Sequence, residues 1–386
     1  MPWMSPTNRE RSQVNHSRTF GLLFFLLVTP FARVSSQQAS SGGANAFPQV
    51  SFEGLFYLNY ETGTEGGVDY ARFNIHRAYL TTRIRLLPKL SGRITFDTSQ
   101  DHEGDGRGDM EVRLKYAYAK YDFGDWGRLT GVGLEGGIVH MVWLDFEEHV
   151  DLYRMRDPMF MERNGIFNSA DFGLTLSGGI GEDLPEEYQE EVNSHYAARY
   201  GSFAVGAYNG GGYHGEEMNE DKVAEGRLTI RPLPEVLPGF QLSGLAIVGK
   251  GNQEGERDEI PDWQTYNLMA SYQFPQGTLT AQYAWGKGNQ KGSWIEPDDP
   301  AVATDFDGYS IFGEYRLGPN WRLVAGFDDF TRTPGTSDRS FARVHGGIGY
   351  DLGGQNILLL DLDRRNWDNA EIETDTRLQV VMQVKF

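Results

Sequence analysis

Apolar and polar residues alternate one by one along most of the chain beyond about residue 48. The terminal segment 377–386 shows this best, because one of its faces is entirely apolar: Leu378, Val380, Met382, Val384 and Phe386. A period of two residues is typical of a strand with one apolar and one polar face. Similar segments recur from residue 72 to residue 364, so the pattern predicts an all-β protein.

The connections between these segments alternate between short and long. Short turns are expected at 88–90, 123–126, 275–277, 318–320 and 353–355, and long connections near 61–69, 101–109, 140–170, 210–222, 250–262, 288–306, 332–339 and 367–373. Short turns on one side and long loops on the other are typical of an outer-membrane barrel, whose termini share the short-turn side. Eight long loops then require sixteen strands. We therefore expect a 16-stranded antiparallel transmembrane β-barrel over residues 48–386.

That strand count depends on how residues 181–209 are divided. Residues 196–200 and 203–208 could be two strands, but this division gives an odd total. We therefore interpret 194–209 as one long strand with a bulge at Gly201, preceded by a turn at 181–192.

A soluble β-sandwich remains an alternative, because its inner faces would also be apolar.

The first 36 residues have the pattern of a secretory signal. A polar, basic stretch precedes the short apolar run at 20–28, and small residues follow at 34–36. This order predicts a signal peptide over 1–36, a linker over 37–47 and a location outside the cytoplasm.

Composition excludes several kinds of protein. The 386 residues include no cysteine, which rules out disulfides and thiol catalysis, and the formal net charge of −19 argues against nucleic-acid binding. No run of apolar residues is long enough for a transmembrane helix. The sequence carries no nucleophile elbow, Walker loop or metal-ligand spacing, so we predict no enzyme activity, no cofactor and no metal.

Several segments resemble the phosphate-selective porin O/P family of outer-membrane proteins. They are Arg72–Asp97, Phe160–Asn164, Asp171–Gly178, Gly201–Gly210, Arg231–Gly249, Ala281–Gly288 and the terminal strand. The resemblance implies a 16-stranded channel of the bacterial outer membrane, a homotrimer, whose third long loop folds into the pore. It also implies that Phe386 is a signal read by the barrel-assembly machinery. Phosphate specificity is not expected, because segment 140–170 contains no lysine.

Two groups of charged residues are candidates for lining the pore. Alternation places a basic wall on the polar face of three neighbouring strands: Arg77, Arg83, Arg85, Arg93, Arg113 and Lys115. A charge facing lipid at mid-membrane costs about 2–4 kcal/mol, so this face should line the lumen. The third long loop would oppose it as a constriction, with these charges: Asp145, Glu147, Glu148, Asp151, Arg154, Arg156, Glu162 and Arg163. The arginines could instead pair with lumen carboxylates such as Asp97 or Glu135 and stiffen the wall.

The function predicted from these features is passive diffusion of small hydrophilic, ionic solutes through a water-filled outer-membrane barrel. The expected partners are outer-membrane lipid, the barrel-assembly machinery, the solutes and two further copies of the chain. A barrel enzyme and a secreted soluble β-sandwich that binds a ligand are the alternatives.

Overall fold

The computed structural model describes residues 47–101, 106–333 and 340–386. The predicted signal peptide and residues 37–46 of the predicted linker lie outside these ranges. The described residues contain these strands: β1 Gln49–Glu65, β2 Val68–Leu87, β3 Leu90–Gln100, β4 Met110–Trp126, β5 Leu129–His140, β6 Ala170–Ile180, β7 Gly201–Tyr208, β8 Val223–Ile230, β9 Phe240–Lys250, β10 Asp262–Phe274, β11 Gly277–Lys287, β12 Ile295–Glu296, β13 Asp299–Ala303, β14 Asp305–Leu317, β15 Trp321–Arg332, β16 Phe341–Gly353, β17 Asn356–Trp367 and β18 Asp375–Lys385. Three short helices accompany them: α1 Val142–Glu148, α2 Phe160–Arg163 and α3 Glu186–Glu191.

Sixteen of the strands in the described residues form one closed antiparallel ring. Each pairs with its neighbours in the chain, β11 pairs with β14, and β1 pairs with β18 to close the ring. The remaining two strands, β12 and β13, form a separate hairpin in the connection between β11 and β14. The predicted 16-stranded antiparallel barrel is therefore confirmed.

The two faces of the ring differ as the alternation predicts. On β17, Leu358, Leu360 and Leu362 are 41%, 45% and 59% exposed, whereas the intervening Leu359 and Asp361 are fully buried. Since strand residues alternate between faces, the exposed leucines belong to the outer face of the ring and the buried residues to its interior. The ring thus has an apolar outer surface and an interior that holds most of its charged side chains.

No helix in the described part of the chain is long and apolar enough to cross a membrane.

The prediction of a long connection near 61–69 is wrong. Strands β1 and β2 stay paired as far as Glu65 and Val68, and only Gly66 and Gly67 join them. Both glycines have positive φ angles, 55° and 78°, as a two-residue hairpin turn requires. The alternating residues of this segment therefore extend the two strands.

The long strand expected over 194–209 is also wrong. Strand β7 begins at Gly201, and residues 181–200 form a long connection that contains α3. In this connection Tyr196 has a φ of +53°, which a strand residue cannot adopt. The turn expected at 181–192 therefore continues to residue 200.

Candidate functional site

Residues 141–169 connect β5 to β6 and are called here the β5–β6 segment. Its first helix, α1, is attached to two strands by buried carboxylates. The backbone N–H groups of Val142 and Trp143 donate to Glu225 on β8, each at 3.1 Å. Glu147 accepts hydrogen bonds from the Trp143 indole at 2.8 Å and from Gln282 on β11 at 2.6 Å.

The second half of the segment is attached by ion pairs to another group of strands. Arg163 binds Asp328 on β15 at 2.5 Å, and Arg156 lies 3.6 Å from Asp361 on β17. In a third ion pair the arginine belongs to the wall and the carboxylate to the segment: Arg343 on β16 binds Asp157 at 2.5 Å. Arg156 and Arg163, two of the three loop arginines of the predicted constriction, are therefore bound to the barrel wall.

Arg154 connects the segment to a third region. It forms ion pairs with two carboxylates of the same segment, with Glu148 at 2.8 Å and with Glu162, and its Nε lies 3.5 Å from the Tyr79 hydroxyl on β2. Gln273 on β10 donates to the carbonyl of Val150 at 3.5 Å. Because β2 and β10 are half a ring apart, the β5–β6 segment contacts opposite sides of the barrel.

Apolar packing explains the aromatic and methionine-rich composition of this segment. Trp143, Phe146 and Met161 are fully buried in one cluster that also contains Ile247 of β9 and Trp263 of β10. Tyr153 and Met155 are buried in a second cluster with Tyr57 and other residues of β1, β2, β14, β15, β17 and β18. Burial of such side chains stabilises the segment by about 1.5–3 kcal/mol each.

Ion pairs neutralise half of the predicted basic wall. Arg77 binds Asp97 at 2.9 Å, Arg83 binds Glu53 at 2.8 Å, and Arg113 binds Glu111. Glu135, suggested by the sequence as a partner of these arginines, pairs with Lys120 at 3.2 Å. Arg85 is exposed near the turn after β2.

Lys115 and Arg93 differ from Arg77, Arg83 and Arg113, because neither has a carboxylate within 4.0 Å among the described residues. The Lys115 ammonium lies over the rings of Tyr79 and Tyr116, 4.8 and 5.4 Å from their centres, and the residue is 2% exposed. Arg93 donates to Thr95 at 2.9 Å and lies 2.9 Å from a ring nitrogen of His140. Aromatic faces stabilise a cation without cancelling its charge.

Two cavities lined by charged residues lie along the barrel wall, the loop-side cavity against β1–β4 and β16–β18 and the turn-side cavity against β1–β5. The loop-side cavity has a volume of about 380 Å³ and is lined by residues such as Arg77, Arg113, Asp157, Asp363 and Arg377. The turn-side cavity, near the short turns, has a volume of about 600 Å³ and is lined by residues such as Arg83, Arg85, Arg93, Lys120 and Glu135. The predicted basic wall is therefore divided between the two cavities, with Lys115 between them.

The connection 181–200 reaches the β5–β6 segment from the short-turn side. The Tyr196 hydroxyl donates to Asp145, Asn193 donates to the carbonyl of His149 at 2.7 Å, and the rings of His149 and His195 lie 4.0 Å apart. Burial raises the pKa of Asp145, but His140, His149 and the Tyr196 hydroxyl outweigh burial and lower that pKa. The unusual length of this turn is the signal for these contacts that the sequence carries.

Two further acidic residues of the predicted constriction are buried in the segment. Burial raises the pKa of Glu147 to about 7, and burial likewise raises the pKa of Asp151. Asp151 accepts a hydrogen bond from the backbone N–H of Tyr153 at 2.9 Å. Among the described residues, no three His, Asp or Glu side chains are grouped so as to hold a metal ion.

Phe386 lies where the ring closes. Its backbone exchanges hydrogen bonds with Gly54 of β1, at 2.9 and 3.1 Å, and its ring packs on Phe56 with 5.6 Å between centroids. The side chain remains 71% exposed on the outer face. Its predicted role as an assembly signal stays a prediction.

Solved structures with the same fold are outer-membrane porins. The anion-selective porin from Comamonas acidovorans superposes with a TM-score of 0.62 at 12% identity, over 88% of this chain and 100% of that one. OmpF of Salmonella typhi, solved with daunomycin, gives 0.59 at 15% identity over 88% and 98% of the two chains. The channel DcaP of Acinetobacter baumannii gives 0.55 at 12% identity over 89% and 99%. No protein-family model and no curated protein sequence matched the chain.

Proposed function

We propose that this protein is a porin of the bacterial outer membrane, through which small hydrophilic ions diffuse. The observation that carries the proposal is a closed barrel with an apolar outer surface and polar cavities along its interior. Such a surface suits lipid, and a closed ring leaves no strand edge unpaired in the membrane. The shared fold with solved porins supports the same conclusion.

The β5–β6 segment is the proposed constriction. It contacts β2, β8, β10, β11 and β14–β18, so it crosses the lumen in this proposal. Ion pairs and apolar packing hold it in place, which makes it a fixed obstacle to diffusion. What remains open to solutes is the space along β1–β5 and β16–β18, where the two cavities lie.

We further propose a preference for anions. Around the turn-side cavity five cations, Arg83, Arg85, Lys89, Arg93 and Lys120, face two carboxylates, Asp122 and Glu135. Lys115, which lies between the two cavities, has no carboxylate within 4.0 Å among the described residues. Rings and clusters of one charge sign set ion preference in pores. The paired arginines contribute less, since their carboxylates offset their charge.

The remaining sequence predictions belong to the same proposal. Membership of the phosphate-selective O/P family rests on the segments quoted above. A homotrimer and assembly through Phe386 rest on the same resemblance. The trimeric form of OmpT from Vibrio cholerae, which shares the fold at a TM-score of 0.55 and 10% identity, is consistent with a trimer here.

A salt gradient across a planar bilayer tests the proposed function. The purified mature protein should insert, give discrete current steps and show a reversal potential of the sign expected for anions. Steps with a reversal potential of the opposite sign would overturn the anion preference and keep the channel. The channel itself would be overturned if neither the wild type nor folded, inserted variants of the β5–β6 segment pass any current.

A further inference from the structure

The two cavities are separated by a layer of side chains from β2, β3 and β4. On β2, Arg77 lines the loop-side cavity and Arg83 the turn-side cavity, whereas Tyr79 and Thr81 between them are 9% and 6% exposed. On β3, Thr95 and Asp97 occupy the same level and are 1% and 2% exposed. The two cavities have no lining residue in common among the described residues.

Burial of these side chains is informative because they belong to the interior face of a ring that should be hollow. On β4, Lys115 and Tyr116 are also buried, at 2% and 5% exposed, since a bulge at Lys115 places two consecutive residues on the inner face. Something from across the lumen must therefore cover this level of the wall.

The β5–β6 segment supplies that cover at Tyr79, where Arg154 is its central residue. Tyr213 of the β7–β8 connection donates to Asp97 at 2.9 Å. Arg154 approaches the Tyr79 hydroxyl, and its side chain is 10% exposed between Glu148 and Glu162. Its neighbour Met155 is fully buried in the cluster that contains Tyr57 and Tyr79. A solute that moves from one cavity to the other must pass this point.

We propose that Arg154, held by Glu148 and Glu162, is a gate that closes the lumen between the two cavities. The inference rests on the proposed channel function. In the closed arrangement the two carboxylates hold the guanidinium against Tyr79. Passage of a solute requires Arg154 to leave at least one of them. The arrangement can open without unfolding of the segment, because other ion pairs attach the segment to β15, β16, β17 and β18.

Single-channel recording of Arg154→Ser tests the gate against a matched control, Arg163→Ser. Both substitutions remove an ion-paired arginine from the same segment, but Arg163 pairs with Asp328 on β15, and neither of these two residues lines either cavity. We expect Arg154→Ser to raise the mean conductance several-fold and Arg163→Ser to leave it near that of the wild type. Equal conductance of wild type and Arg154→Ser, or equal increases in both variants, would overturn the gate.

A second variant covers the case in which Arg154→Ser does not fold. Replacing both Glu148 and Glu162 with Gln keeps Arg154 but removes the charges that hold it, and it should also raise the conductance. An unchanged conductance of this folded double variant would contradict the gate. If the wild type and all folded variants pass no current, the channel proposal fails together with the gate.

Thiol labelling gives a readout that does not depend on current. The chain contains no cysteine, so a single Thr95→Cys variant reports on one buried position. A charged, membrane-impermeant methanethiosulfonate should label it slowly in the wild-type background and several-fold faster with Arg154→Ser. Equal labelling rates would show that Arg154 does not cover this level of the wall.

Discussion

Glu147 illustrates how a carboxylate can be stable in the interior without a cation. It is 3% exposed, accepts hydrogen bonds from Trp143 and Gln282, and has no lysine or arginine within 4.0 Å among the described residues. Burial therefore dominates, and the pKa of Glu147 rises to about 7. In the sequence this residue was one of several acidic loop positions expected to face the pore. The structure places it against β11 instead.

The raised pKa of Glu147 predicts that the protein loses stability as the pH rises. Between about pH 4.5 and pH 7 the folded protein holds a proton that the unfolded chain has released, so folding weakens across this window. The full loss is on the order of 3 kcal/mol above pH 7. Glu147→Gln should remove it, so the variant should unfold at higher urea than the wild type at pH 8 but not at pH 4.5.

Tryptophan fluorescence of detergent-solubilised protein during urea unfolding measures this difference. Glu190→Gln, on the exposed face of α3, is the matched control and should shift neither midpoint. A Glu147→Gln midpoint that falls below that of the wild type at both pH values would mean that the charged carboxylate is required for its two hydrogen bonds.

At the scale of elements, the connection 181–200 and the β5–β6 segment depend on each other. Tyr196, Asn193 and His195 contact Asp145 and His149 of the segment. Arg227 of β8 lies over the rings of Phe146 and Tyr196, 4.5 and 5.0 Å from their centres. The segment is therefore held from the short-turn side as well as from the barrel wall.

Acid should loosen this contact. Burial and the neighbouring His149 lower the pKa of His195 to about 4. Because the pKa of His195 is lower in the folded state than in the unfolded state, the contact weakens as the pH falls from about 6.5 to about 4. The lowered pKa of Asp145 also makes the contact weaker in acid. Amides of residues 193–200 should lose protection from hydrogen exchange between about pH 7 and pH 4, after correction for intrinsic rates.

The variant His195→Gln serves as the comparison, because glutamine does not titrate. Its amides should show a smaller change in protection over the same pH range. Protection that falls equally in the wild type and in His195→Gln would show that the titration of His195 does not cause the pH effect.

These two elements also show how far the sequence predicts the fold. Alternation and turn spacing predicted all sixteen strands, because the period of two follows directly from which face is apolar. The same alternation failed at 61–69, where it continues into a two-residue hairpin, and at 194–200, where Tyr196 turns inward at positive φ. A local pattern does not reveal a contact with a segment some fifty residues away, such as that between Tyr196 and Asp145.

At the scale of the whole molecule, the charge along the lumen depends on cross-strand pairing. The sequence identified six basic residues on one face. Their partners could not be predicted, since the pairing of Arg77 with Asp97 and of Arg83 with Glu53 depends on strand register. The partners of Arg154 could not be predicted either, because they depend on the fold of the β5–β6 segment, where Glu148 and Glu162 neutralise its charge. Lys115 and Arg93 thus contribute more net positive charge than the paired arginines.

This difference predicts unequal effects on ion selectivity. Replacing both Lys115 and Arg93 with Gln should shift the reversal potential in a salt gradient strongly towards cations, because two cations that lack carboxylate partners are lost, one between the cavities and one at the turn-side cavity. Replacing both ion pairs whole, with Arg77→Gln, Asp97→Asn, Arg83→Gln and Glu53→Gln together, should shift it less, since each pair is nearly neutral and the net charge of the wall does not change.

The measurement should use salt near 0.1 M, where the screening length is about 10 Å and wall charges still act across the lumen. The double variant loses two positive charges, whereas the variant without the two ion pairs keeps the net charge. A selectivity set by unpaired charge therefore gives the larger shift for Lys115 and Arg93. Equal shifts of the reversal potential would contradict this prediction, because the paired arginines would then affect passing ions as strongly as the unpaired cations. The passage would in that case be wider than the buried layer at Tyr79, Thr95 and Tyr116 implies.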